Sequence, residues 1–219
     1  ALDGARDLDV FARDVLAPAA ESAPGDAGFL ALGESLAAAR AEARDAALRA
    51  TRSARFSTLL LDACAWMEVA VVGAPDPVRQ GRGARSLEEF AVGALDRARN
   101  QVKRRGRGLR RMAPPRRHKA RIEVKRLRYA AEFFGPLFEA RAVRKFVSRL
   151  EDLQESLGEL NDIAVARVLA AAFAASADPS AALAAGRAVG RREAAEGALL
   201  RDADRAWRRL MRTHRFWRG

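Results

Sequence analysis

Residues 116–165, RRHKARIEVKRLRYAAEFFGPLFEARAVRKFVSRLEDLQESLGELNDIAV, decide how the chain folds. Their first half reads as a helix with a cationic side and an apolar side. A helix advances about 100° per residue, so His118, Arg121, Lys125 and Arg128, at spacings of three, seven and ten, share one stripe. Like charges stacked this way repel by a few tenths of a kcal/mol per pair, so the stripe makes most sense with an anion on it. Ile122, Leu127, Ala130, Phe133, Phe134 and Leu137 largely avoid the stripe and are expected to face a core.

Working outward, nearly every segment reads as helix. Ala, Leu, Arg and Glu dominate, and the alternation of β-branched residues that marks strands is missing. The expected helices are 7–17, ending near Pro18; 28–52 and 54–72, as one long helix or two abutting ones; 86 to about 112, opened by the capping-box spacing Ser86/Glu89 and stopped by Pro114-Pro115; 116–134, stopped by Gly135-Pro136; 140–157, ended by Gly158; 160–175; and about 180–213. A connector rich in Gly and Pro, GAPDPVRQGRGAR (73–85), separates the third from the fourth. The fold class is therefore all-α.

The chain has 219 residues and a formal charge of +12. Only four of its 40 cations are Lys (103, 119, 125 and 145), and Arg offers a planar fork suited to phosphate oxygens. Genomic base composition accounts for an Arg-rich chain but not for striping. Arg40, Arg44 and Arg55 fall on one face, Lys103, Arg107 and Arg110 on another, and Arg187, Arg191, Arg201, Arg205, Arg208 and Arg212 on a third. The helix after 140 carries Asp152, Glu155 and Glu159 behind Arg141 and Lys145 and reads as ordinarily solvated. One stripe is explained by solvation; four that converge point to a polyanion. The single Cys64 lies in an apolar run and reads as a core thiol. With no disulfide framework, no signal peptide and no apolar run long enough to span a bilayer, a cytoplasmic protein without membrane attachment is expected.

Leu2, Asp7 and Val10 repeat as Leu157, Asp162 and Val165 at a constant offset of 155, and both copies precede an Ala/Leu-rich helix, a loop with Pro and an Arg-striped helix with Trp. Two pseudo-symmetric helical halves are expected, about 1–80 and 86–219. The motif H118-x-x-R121-I-x-x-K125-R126-L-R128-Y129, then F133-x-x-x-L137-F138, then L153-Q-x-x-L157-G-x-x-N161-D162, resembles the CHAD family, the conserved histidine α-helical domain. RDLDV at 6–10, RFSTLLLDACAW at 55–66 and the Phe-Trp pair at 216–217 fit the same pattern, so the resemblance covers essentially all of 1–219 as a single domain. It implies two helical bundles about a pseudo-twofold axis with a basic groove or pore between them, and binding of inorganic polyphosphate, in some members beside a triphosphate tunnel domain. That tunnel domain's Glu-x-Glu-x-Lys strand has no counterpart here. At the offset of 155 the first-half partner of His118 falls before Ala1, so the first half is expected to be incomplete at its N-terminus.

The stripes and the resemblance together assign polyphosphate contacts to Arg44, Arg55, Lys103, Arg107, Arg110, His118, Arg121, Lys125, Arg126, Arg128, Tyr129, Arg187, Arg191, Arg205 and Arg208. Asn161 and Asp162, following Gly158, are read as helix N-caps, and Tyr129 as either a core ring or a groove-facing hydroxyl. A lone Cys and two distant His residues leave no metal cluster, and there is no phosphate loop or nucleophile elbow. The expectation is a non-catalytic module with no cofactor, which associates with polyphosphate, including polyphosphate granules. The competing reading is a nonspecific nucleic-acid binder, since a basic stripe is also the footprint of such proteins.

Overall fold

A computed structural model describes residues 2–72, 86–176 and 178–218. Among them every regular element is helical: α1 (Leu2–Phe11), a π-helical turn (Ala12–Leu16), α2 (Ala17–Glu21), α3 (Ala27–Thr51), α4 (Ala54–Val72), α5 (Leu87–Arg105), a 3-10 turn (Leu109–Arg111), α6 (Pro114–Phe134), a second 3-10 turn (Gly135–Leu137), α7 (Ala140–Ser176), α8 (Pro179–Glu193) and α9 (Glu196–Arg212). The connector expected at 73–85 lies outside the described residues. The chain divides into two units: Ala1–Gly83 with Val165–Arg191, and Ala84–Ala164 with Arg192–Gly219.

The first unit has a core of Phe11, Val15, Phe29, Leu32, Leu36 and Phe173 packed against the alanine face of α8 (Ala181, Ala184, Ala185, Ala188). Small side chains let α8 approach closely; a Cβ at Gly28 would lie 2.5 Å from the Ser180 carbonyl oxygen. Asp26 caps α3, accepting from the Gly28 and Phe29 amides. Cys64, expected in a core, is exposed on α4 together with Leu59, Leu60, Leu61 and Trp66, because nothing among the described residues packs on that stretch.

The second unit holds the motif helices. Its core is Leu95, Val102, Leu109, Leu127, Phe146, Leu150, Leu153, Leu157, Leu160 and Leu210, closed by Phe216 and Trp217. The Phe-Trp pair stacks edge-on against Phe146, and Phe216 also meets Phe138. The Trp217 indole N–H donates to Asp96 at 2.9 Å, and Arg218 adds a bond from its Nε at 3.0 Å. The buried face of α6 is Arg117, Ala120, Val124, Leu127 and Ala131. This differs from the expected face: Ile122 and Phe133 are exposed, and an arginine takes a core position. Arg117 donates to the Met112 carbonyl (3.0 Å) and to Glu196 (2.8 Å), so a buried charge is matched by a carboxylate.

Several boundaries move for identifiable reasons. Pro18 does not end a helix; the π turn ahead of it places the missing N–H in the first turn of α2, where no donor is required. Ser86 forms the full capping box with Glu89. The helix it opens stops at Arg105 rather than near Met112, and Gly106, its C-cap, lies under the Trp207 ring with no room for a Cβ. Gly108 then takes φ 76°, a left-handed turn that favours glycine. Pro114 and Pro115 begin α6 instead of merely ending its predecessor. Gly158 does not interrupt α7, because Leu157 and Leu160 on either side of it are buried and hold the helix together. The last expected helix breaks at 194–195, setting Glu196 at the start of α9 against Arg117.

Two outcomes follow for stability. Glu196→Ala leaves the Arg117 charge buried without its carboxylate and is expected to cost about 3 kcal/mol. Arg117→Met combined with Glu196→Leu should recover most of that loss, as read from chemical denaturation. At Asp96, burial pushes the pKa up, but bonds from Arg218 and Trp217 and the charges of Arg218 and Arg215 outweigh it, holding the carboxyl below its usual 3.8. A depressed carboxylate contributes stability that is present above the unfolded pKa and lost as pH falls through the folded one. Wild type should therefore lose more stability than Asp96→Asn between pH 5 and about 3.

Candidate functional site: a cationic seam on α6

The stripe expected on α6 exists and lies along α7. The His118 imidazole Nδ1 meets the Asn161 side-chain oxygen at 2.7 Å. Gly158 faces Arg121, its absent Cβ 3.9 Å from the arginine Nε. Arg128 reaches Glu151 at 3.7 Å. In each of these pairs the residue numbers add to 279, which defines an antiparallel register and sets Lys125 opposite Gln154. Asn161 is thus a mid-helix residue orienting His118, not an N-cap, and the sequence signal for it was the spacing of Gly158 and Asn161 one turn apart.

Polar atoms in this seam are incompletely matched. Arg121 Nε, Arg128 Nε and Gln154 Oε1 are buried without a hydrogen-bond partner, three of the six such atoms among the described residues. Unmatched buried polar atoms cost about 1–3 kcal/mol each, so each calls for an explanation. His118 and Lys125 are exposed. Tyr129 is exposed rather than in the core, with Lys125 Nζ 5.6 Å and the Arg128 guanidinium 5.2 Å from its ring centre. With its Nδ1 side turned to the Asn161 oxygen, His118 keeps Nε2 for a ligand.

The other predicted contact residues have different surroundings. Arg128 is shared between Glu132 (3.2 Å) and Glu151, and Arg126 pairs with Glu123 (3.0 Å). Arg205 bonds Asp202, and Arg208 bonds Asp204 at 2.8 Å. Arg107 and Arg110 fall beyond the end of α5, so they do not continue a helical stripe from Lys103. In the first unit, Arg187 bonds the α3 cap Asp26 at 2.6 Å and lies 4.9 Å from the Phe29 ring centre, and its guanidinium, with the capped amides, holds the Asp26 carboxyl below its usual range. Arg191 bonds the Ser22 hydroxyl. Arg44 lines a groove with Arg40, Asp9 and Asp45, whereas Arg55 sits on α4 and lines another concavity with Phe56 and Asp62. The stripe on 187–212 is divided between α8 and α9.

Four cations escaped the sequence reading. Arg104, Arg105, Arg116 and Lys119 line a concavity of about 430 Å³ where the end of α5 meets the start of α6. Their signal was the tight turn at Gly106–Gly108, which folds two basic runs together.

Comparison with curated protein sequences finds no match. Among solved structures, the crystal structure of the CHAD domain from the plant Ricinus communis superposes with a TM-score of 0.77 at 28% identity, covering 98% of this chain and 69% of that one. The CHAD domain profile matches residues 1–171, the span that carries the α6 stripe, the Gly158–Asn161 face of α7 and the Asp7 segment, and the chain belongs to the CHAD domain family.

Proposed function

We propose that the protein binds inorganic polyphosphate without catalysis, and that the α6 seam supplies the contacts of the second unit. The supporting observation is the row His118, Arg121, Lys125 and Arg128, which spans about 15 Å at the helical rise of 1.5 Å per residue. A flexible chain with about one charge per phosphate can lie along such a row. In its imidazolium form, with Nδ1–H given to the Asn161 oxygen, His118 donates through Nε2–H; Lys125 acts as a mobile point charge, and the arginines present forks to the oxygens. Counterion release makes the affinity strongly salt-dependent. Family membership supports the same ligand. The protein is read as acting on the cytoplasmic side, where polyphosphate granules lie; no described helix is long and apolar enough to cross a membrane.

One observation favours nucleic acid as a competing ligand: Tyr129 and Phe133, one turn apart, are both exposed beside the cations. Two exposed rings make a weaker stacking surface than single-strand binders use, and they offer no readout of base edges. Competition at equal charge concentration separates the readings, with polyphosphate expected to displace single-stranded RNA and RNA unable to displace polyphosphate.

Within the seam, Lys125 is the informative position. Arg128 already has two carboxylates, so reversing it alters folding contacts as well as binding. Lys125→Glu should weaken long-chain polyphosphate about tenfold or more, equivalent to about 1.4 kcal/mol, and lower the salt dependence. Lys145→Glu, the same change on an exposed part of α7, should change affinity less than about twofold if attraction is local rather than set by net charge. Equal losses in the two variants defeat the seam.

A further inference from the structure

The concavity lined by Arg104, Arg105, Arg116 and Lys119 is separate from the seam. On α6, at about 100° per residue, Arg116 and Lys119 stand on one flank of the buried face, and His118, Arg121, Lys125 and Arg128 stand on the other. We propose that this concavity is a second anion site that takes a compact oligophosphate of triphosphate size, carrying no base or ring.

The chemistry of its lining supports that class of ligand. All four lining residues are cations. Arg105, Arg116 and Lys119 make no ion pair among the described residues, and Arg104 bonds only the neutral Gln101. The seam, by contrast, has Glu132 and Glu151 at Arg128. An anion entering the concavity therefore displaces no internal carboxylate. Among the described residues no aromatic ring lines it, so they offer no stacking surface for a nucleobase. Its volume of about 430 Å³ falls within the range of small-molecule sites and suits a few linked phosphates. Pro114 and Pro115 supply no amide N–H at the start of α6, so the donors are the side chains themselves.

The site is also built in advance. Gly106, under the Trp207 ring, and Gly108, in the left-handed region, hold the turn that brings the α5 cations to α6. Arg117, bonded to Met112 and Glu196, fixes the backbone between Arg116 and Lys119. Cations held in place lose less freedom on binding than cations on a mobile segment. The ligand is either a free oligophosphate or the end of a longer phosphate chain, and the probes below tell these apart.

The test is calorimetric titration of the full chain with inorganic triphosphate and, separately, with long-chain polyphosphate. Arg116→Gln/Lys119→Gln should weaken triphosphate about tenfold or more. Arg141→Gln/Lys145→Gln, which removes the same charge elsewhere, should stay within about twofold. Both pairs are exposed, and unchanged circular dichroism checks the fold. Absence of triphosphate binding to wild type, or equal losses in the two double variants, overturns the proposal. If the pocket variant also weakens long-chain polyphosphate, the site takes a chain end; if it affects triphosphate alone, the site takes a free ion, and either result upholds it. Lys125→Glu with long-chain polyphosphate reports on the seam separately, so one reading can fail while the other stands.

Discussion

A single buried guanidinium organises the second unit. Arg117 occupies a core position on α6, where Ala120, Val124 and Leu127 are its neighbours on the same face. Its bonds to the Met112 carbonyl and to Glu196 tie the approach to α6, the helix itself and the first residue of α9. Because a helix turns about 100° per residue, fixing Arg117 inward fixes the directions of the residues around it. The run Arg116-Arg117-His118-Lys119 therefore divides. His118 goes to the seam with α7, while Arg116 and Lys119 go to the concavity with α5. Four consecutive cationic or titratable residues, which look in sequence like one basic patch, serve three environments.

The helical character of the chain was legible because period and composition agree throughout. The Ser86 cap was legible because capping is a local interaction, complete within four residues. The motif helix was legible as amphipathic, yet its buried flank was misplaced. Ala120 and Ala131 carry little hydropathic signal, and Arg117 carries the wrong one, so the exposed Ile122 and Phe133 drew the apolar face toward themselves. Gly158 and Pro18 show the same limit. Each weakens a helix locally, but long-range packing of Leu157 and Leu160, or a π turn, decides whether the helix continues.

The candidate site was legible to the extent that its geometry lies within one helix. His118, Arg121, Lys125 and Arg128 share a stripe because spacing alone puts them there. Which cations already have partners was partly visible, since Asp202 and Asp204 stand three and four residues before Arg205 and Arg208, and Glu132 four after Arg128. The bonds from Arg187 to Asp26 and from Arg128 to Glu151 join residues far apart in sequence and were not visible. The concavity at Arg104, Arg105, Arg116 and Lys119 needs the α5–α6 turn before its members can be seen as neighbours. A helix drawn through to Met112 hides it.

A formal charge of +12 is a poor guide to where an anion settles. At about 4 Å, and at an effective dielectric constant near 20, a carboxylate and a guanidinium attract by about 4 kcal/mol, and an incoming phosphate must compete with that attraction. Cations such as Arg187, Arg205 and Arg208 therefore contribute to the distant field while offering little at contact. Lys125 and the α5–α6 cluster have no such competitor among the described residues, so their charge is available to a ligand. Between those extremes stands Arg128, whose two carboxylates are exposed enough for solvent to screen them. A polyanion that has engaged His118 and Lys125 gains Arg128 only by outcompeting Glu132 and Glu151. A chain of several phosphates meets that requirement, because its neighbouring charges are already held in place, whereas a single phosphate brings no such advantage.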